Sequence, residues 1–228
     1  MTLNGFSNDS LGAHEGLPSF EVLYDRYYTR LYRYLNAHLK NEDDAIDLLQ
    51  QVFLQVWQQG HSYDPRRGSV ATWLFSIAHH RVIDFYRTSR SSVSWESVPE
   101  LLAADSDPEA RVLSYERVAL LRRVLETLPQ SEQELLALRF AAHLSSAEIG
   151  ALIGKSEAAT KKQLTRLLHR LHELYRRKEL ETPLPDLVEL SLPGLVMALR
   201  WQYEAPAPAL QECGALQSQL EISRPASL

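Results

Sequence analysis

Between Leu144 and Tyr175 the chain reads LSSAEIGALIGKSEAATKKQLTRLLHRLHELY, two helical patterns separated by a glycine. Ser145 and Glu148 have the spacing of a capping box, in which the hydroxyl accepts an orphan backbone N–H and the carboxylate reaches back. Ile149, Leu152 and Ile153 give the first helix an apolar face. Gly154 is placed to end it, because glycine enters the left-handed region without steric cost. Ser156 is a suitable N-cap for the second helix, where Leu164, Leu167, Leu168, Leu171, Leu174 and Tyr175 recur at helical spacing. Its outward positions include Lys161, Lys162, Gln163, Arg166 and Arg170. A short helix, a glycine turn and a basic second helix describe a helix-turn-helix, whose second helix enters the major groove of DNA. An ordinary helical hairpin with a solvated basic face is the alternative at this point.

The charge distribution supports the first of these. The 228-residue chain carries a net charge of −5. Residues 179–228 hold seven acids and two bases, which accounts for all of it, so residues 1–178 balance. Lys155–Lys178 alone has eight bases against two acids. Salt screens exposed charges beyond about 8–10 Å, so this local excess is what a nucleic acid meets. The 45% hydrophobic and 23% charged content is that of a globular protein. The single cysteine, Cys213, excludes an internal disulfide and a Cys-rich metal site. The absence of a basic-then-apolar leader or a long apolar run predicts neither a signal peptide nor a membrane span, and hence a cytoplasmic location.

Outward from the helix-turn-helix, helical periodicity covers most of the chain. Phe20, Leu23, Tyr24, Tyr27, Tyr28, Leu31, Tyr32 and Leu35 form an aromatic stripe. A second helix starts near Asn41, with Glu42, Asp43 and Asp44 in its first turn, where the helix dipole favours anions. Ala45, Leu48, Leu49, Val52, Phe53, Val56 and Trp57 form its apolar face. After the loop His61–Ser69, a third helix runs from about Ser69 to Arg87 with the stripe Val70, Trp73, Leu74, Ile77, Ala78 and Phe85. Residues 88–110, TSRSSVSWESVPELLAADSDPEA, break the period and read as a linker. Periodicity returns at Arg111 and passes through Val118, Leu121, Val124, Leu125 and Leu128 to Pro129. Ser131 and Glu134 suggest another capping box, before Leu135, Leu136 and Leu138. No strand-like alternation stands out, so the predicted fold class is all-α, two small helical domains joined by a flexible linker with a C-terminal extension. The boundaries predicted are a disordered segment 1–17, a helical bundle 18–88, an acidic linker 89–110, a helix-turn-helix domain 111–178 and an acidic, Pro-containing extension 179–228.

The order FEVLYDRYYTRLYRYL, DDAIDLLQQVFLQVW, YDPRRGSVATWLFSIAHHRVIDFYR resembles region 2 of a bacterial sigma factor of the extracytoplasmic-function group, in the sigma-70 family. LRRVLETLPQSEQELLALRF and the helix-turn-helix after it resemble region 4 of the same group. The resemblance spans roughly residues 18–178. It implies a protein that joins core RNA polymerase, recognises the −10 and −35 promoter elements, in melted and double-stranded DNA, and promotes initiation with no bond chemistry or cofactor of its own. For polymerase docking it implies Asp43, Asp47, Leu48, Gln50 and Gln51, with Ile46 and Gln51 standing where the family carries acids. For the −10 element it implies Arg66, Arg67, Trp73, His80, Arg81 and Arg87. Aromatics and cations suit the hosting of an unstacked base. Trp73 also lies on the apolar stripe, and His80 stands where the family carries Asn. For the −35 element it implies Ser156, Lys161, Lys162, Gln163, Thr165 and Arg166. Lys and Arg bond guanine edges, Gln pairs with adenine, and a helix N-terminus holds a phosphate. Thr160, where the family carries Val, is either buried and bonded to the preceding turn or turned toward DNA. The group is typically held inactive by an anti-sigma factor, a further expected partner.

Other chemistry has little support. His169 and His172 are spaced i, i+3 on one helix without an evident third ligand. No phosphate-binding glycine loop, nucleophile elbow or paired-carboxylate site is evident, so an enzyme is not expected. The rival readings are a helix-turn-helix regulator acting without polymerase and a decoy that binds polymerase without reading DNA. The acidic extension has short apolar runs at Leu184–Leu190 and Leu195–Trp201. It is expected either to fold over the basic recognition helix, to dock a partner, or to have no role.

Overall fold

The computed structural model describes residues 16–39, 41–88, 118–181 and 191–203, and among these every regular element is helical. The predicted linker 89–110, residues 1–15 of the predicted N-terminal segment and the apolar run Leu184–Leu190 lie outside the described residues. The described residues fall into two compact units, 16–88 and 118–203.

The first unit is a three-helix bundle of α1 (Phe20–Leu39), α2 (Glu42–Gln59) and α3 (Val70–Thr88), each packed on the other two. Asn41 caps α2 through its side-chain oxygen, which accepts from the Asp43 N–H at 3.1 Å. The Ser69 hydroxyl does the same at the start of α3, for the Thr72 N–H. The core is aromatic. Phe20 meets Phe53 and Trp57 edge-on at 6.0 and 5.2 Å, and Tyr34 meets Phe75 at 5.5 Å and 89°. Such pairs contribute about 0.5–1.5 kcal/mol each beyond the area they bury. The Arg30 guanidinium lies over the Tyr27 and Phe75 rings. The expected α1 stripe is buried apart from Tyr24, which is half-buried, and Tyr34 joins it. On α3 the buried face is Ala71, Leu74, Phe75, Ile77, Ala78 and Val82. Val70, Trp73 and Phe85, expected in that stripe, are half-buried at its margin.

The second unit opens with α4, described over residues 118–126, whose Val118, Leu121, Val124 and Leu125 are buried as expected. The capping box expected at Ser131 and Glu134 does not form. Helix α5 (Gln130–Leu136) begins two residues earlier, with Pro129 as its N-cap, whose carbonyl accepts from the Glu132 and Gln133 N–H groups. Proline's fixed φ suits a helix start, where a missing N–H leaves no bond unmade. Helix α5 continues into a π turn, Ala137–Ala141, closed by the Ala142 N–H on the Ala137 carbonyl. His143 then takes a left-handed backbone (φ 52°), and Arg139 donates to the Leu144 carbonyl at 2.9 Å across that turn.

The helix-turn-helix is α6 (Ser146–Ile153) and α7 (Glu157–Glu181). The Ser145–Glu148 capping box forms in both directions, and Gly154 ends α6 at φ 69°, ψ 33°. The Ser156 hydroxyl accepts the Ala159 N–H at 3.2 Å. Helix α7 buries Thr160, Leu164, Leu167, Leu171 and Tyr175 in one line. Helix α8 (Leu192–Tyr203), from the C-terminal extension, packs on the π turn and on α7.

Two outcomes follow. A Cβ at Gly150 would stand 2.6 Å from the Lys155 carbonyl and 3.1 Å from Thr160 Oγ1. Gly150→Ala should therefore lower the unfolding free energy of the second unit by roughly 1–3 kcal/mol in urea melts, although alanine is the better helix former. In the first unit, burial, then the charge of Glu42 and a hydrogen bond to it, push the Tyr32 phenol up to about 12 from 10.0. An unfolded tyrosine ionises first, so stability should fall as pH rises from 10 to about 12. Tyr32→Phe should flatten that part of the pH–stability curve.

Candidate nucleic-acid interface

Burial of one face of α7 fixes which side chains the other face presents. Lys161, Lys162, Thr165 and Arg166 are all exposed, forming two adjacent columns one helical turn long. Ser156 is exposed at the N-terminus of the same helix. Gln163 is half-buried, and its side-chain oxygen accepts from Lys155 Nζ at 2.7 Å. Lys155 is thus a member of the site that motif reasoning left out, since it precedes the N-cap. The Thr165 hydroxyl donates to the Lys161 carbonyl at 3.0 Å. Arg170, further along, is paired with Glu132 of α5 and holds α7 to the rest of the unit.

Thr160 is fully buried, and its hydroxyl donates to the Ser156 carbonyl at 3.0 Å. Of its two readings, the buried one holds. With α8 in place, the side chains at 161, 162, 165 and 166 remain exposed, so α8 does not cover that face of α7. Residues 204–228 lie outside the described residues.

In the first unit, Trp73, His80 and Arg87 are seven residues apart on α3, which puts them on one face. From Trp73 to Arg87 the helix rises about 21 Å. Trp73 is half-buried and leans on Tyr63, with ring centroids 5.6 Å apart. The Tyr63 hydroxyl donates to the Gly68 carbonyl, tying the loop to the helix start. Burial, then Tyr27 and Asp64, raise the Tyr63 phenol above its ordinary value. His80 is exposed, its Nδ1 2.6 Å from the Ser76 carbonyl, and Ile83 is exposed in the same stripe. Arg87 pairs with Asp84 at 3.0 Å on the surface. Arg66 and Arg67 are exposed on the loop, where the Asp64 carboxylate accepts the Arg66 N–H. Arg81 is set apart from these. Half-buried, its Nε donates to Gln55 of α2 at 2.8 Å. Neither Gln55 nor Tyr63 was legible as a partner, because each meets its α3 residue only after folding.

On α2, Asp43, Asp47 and Gln51 are exposed at four-residue spacing, with Gln50 half-buried beside them. Leu48, expected on that docking face, is 4% exposed. It belongs to the bundle core with Ala45, Leu49 and Val52, and supports the polar line from behind.

Comparison with known proteins agrees with this division. Residues 23–92 match the model of Sigma-70 region 2, and residues 119–174 that of Sigma-70, region 4. The chain is 30% identical over 161 residues to the ECF RNA polymerase sigma factor SigM of Bacillus subtilis, covering 70% of this chain and 96% of that one. It is 30% identical over 164 residues to the ECF RNA polymerase sigma factor RpoE of Cereibacter sphaeroides, covering 70% and 88%. The fold is similar to that of CnrH, solved in complex with the cytosolic domain of CnrY, with a TM-score of 0.50 at 24% identity over 70% of this chain and 88% of that one. With both regions matched in order, the chain belongs to the sigma-70 family, as an extracytoplasmic-function sigma factor acting in transcription initiation.

Proposed function

We propose that the two units divide the work of initiation. The first docks on core RNA polymerase through Asp43, Asp47, Gln50 and Gln51 of α2. It holds the melted −10 element along Trp73, His80 and Arg87, with the loop cations Arg66 and Arg67 on the backbone. Arg81, anchored by Gln55, contributes charge at the edge of that stripe. The second unit reads the −35 duplex with Lys161, Lys162, Gln163, Thr165 and Arg166, and Ser156 sits by a phosphate. The observation that carries this reading is the exposed basic face of α7, held outward by the buried line behind it. Sequence is read at base edges, whereas phosphate contacts set register. The work takes place in the cytoplasm, with polymerase and promoter. A regulator that withholds the chain from polymerase, an anti-sigma factor, is a further partner, supported by the CnrH–CnrY complex as a precedent on this fold. No described helix is long and apolar enough to cross a membrane. A helix-turn-helix regulator working without polymerase leaves the polar line of α2 and the stripe of α3 without a role.

The test is run-off transcription with core polymerase over a promoter library. Specific initiation dependent on this chain is expected, and its absence would overturn the reading. Arg166→Ala should weaken binding to a −35 duplex roughly 5- to 150-fold, the range of a lost base contact. A phosphate-holding Lys161→Ala should instead lower the salt dependence of log K by about one unit. Thr160→Val should leave promoter choice unchanged in the same library. Asp47→Ala should raise the concentration needed to saturate core polymerase and leave −35 duplex binding as it was.

A further inference from the structure

Lys155 stands in the turn between α6 and α7, and its backbone is held there from both sides. Its N–H donates to the Gly150 carbonyl at 2.8 Å, and its own carbonyl lies 2.6 Å from where a Gly150 Cβ would stand. The next residue, Ser156, caps α7. The Lys155 side chain therefore starts from a fixed point, and its Nζ donates to Gln163 Oε1 at 2.7 Å, eight residues on. That is the length of a charge-assisted hydrogen bond. The contact also fixes which way round the Gln163 amide sits. An ammonium has three donors and no acceptor, so the atom it meets is the oxygen, and the NH2 group is the end left for other partners. Gln163 is half-buried beside the exposed Lys162 and one helical turn from Arg166, at the edge of the outward face of α7.

The bond changes what this glutamine can read. A glutamine with both amide atoms available pairs with adenine, Oε1 accepting from the N6 amino group and Nε2 donating to N7. Here the oxygen already carries a cation. It keeps a second lone pair, but an amino group brought to it would stand beside the ammonium, positive against positive. A guanine edge instead sets two acceptors, N7 and O6, against the amide N–H and the ammonium N–H, and every group is satisfied. Thymine offers a single acceptor there and cytosine only a donor. Exclusion of water at the interface strengthens both the attraction and the repulsion. We propose that Lys155 is a specificity-determining residue of the second unit: by holding Gln163 Oε1 it turns the pair into an all-donor edge, which selects guanine where Gln163 alone would select adenine. The inference rests on the reading of α7 as the −35 recognition helix. Lys155 acts on base identity from outside that helix, through a side chain on it.

The test uses holoenzyme, the full chain with core polymerase, selecting from a promoter library whose −35 element is randomised. Gln163→Ala identifies the base pair concerned, as the position whose preference it flattens. At that position the wild type should select guanine over adenine. Lys155→Met keeps an apolar stem without a donor, and should move the guanine-to-adenine ratio toward adenine by about tenfold or more, within the range of one bidentate contact. The other positions should keep their preferences. Gln163→Glu leaves an oxygen for Lys155 but removes the amide donors, and should lose the guanine preference as Gln163→Ala does. Selection of adenine by the wild type at that position, or no flattened position in Gln163→Ala, would overturn the inference and leave the −35 reading standing. The same holds if Lys155→Met weakens binding to every sequence alike, with the salt slope smaller by about one, because Lys155 then holds a phosphate. A wild-type holoenzyme that selects no −35 sequence overturns the −35 reading itself, and the inference with it.

Discussion

Everything that α7 offers to solvent depends on how closely α6 approaches the turn ahead of it. At Gly150 there is no room for a side chain, because the Lys155 carbonyl and the Thr160 hydroxyl occupy the space a Cβ would take. That approach buries Thr160, and Thr160 starts the line through Leu164, Leu167, Leu171 and Tyr175. Once that line faces inward, helix geometry leaves Lys161, Lys162, Thr165 and Arg166 no direction but outward. The left-handed Gly154 sets the angle at which the chain enters this arrangement. The close approach at one glycine therefore governs the position of four exposed side chains.

The first unit solves a related problem with different materials. A bundle of three helices has a small core, and aromatic rings fill it with few residues. The rings of Phe20, Tyr34, Phe53 and Phe75 meet edge-on, which fixes the rotation of each helix about its own axis. Fixed rotation is what places the polar line of α2 and the stripe of α3 on the surface. The Gln55–Arg81 bond then joins those two helices outside the core.

Features encoded within four or five residues were legible in the sequence. Ser145, Glu148, Gly154 and Ser156 each act on backbone groups one turn away, and all four do in the structure what their spacing implied. The same signature at Ser131 and Glu134 misled, because Pro129 starts the helix first and leaves Ser131 inside it. Glu134 is instead close enough to Tyr203, some seventy residues later, to act on its ionisation. Contacts of that range leave no local trace. The Gln55 partner of Arg81 and the Tyr63 ring beside Trp73 are of the same kind. The π turn was illegible for another reason. Ala137–Ala141 has an ordinary helical composition, and only its surroundings widen the turn.

The separation of the two faces of α7 has a consequence for how such a protein changes over generations. Folding is secured on one side of the helix and the other side is left to solvent, so replacements at 161, 162, 165 and 166 disturb no packed neighbour. Exposed substitutions of this sort usually alter stability by no more than about 0.5 kcal/mol. On the proposed reading of DNA by these positions, preference for one target over another is thus free to drift, duplicate and diverge while the scaffold stays the same. Gln163 and Ser156 are less free, because one is tied to Lys155 and the other caps the helix. A lineage of such chains should show its variety at the first four positions and its constancy at Gly150, Gly154 and the buried line behind them.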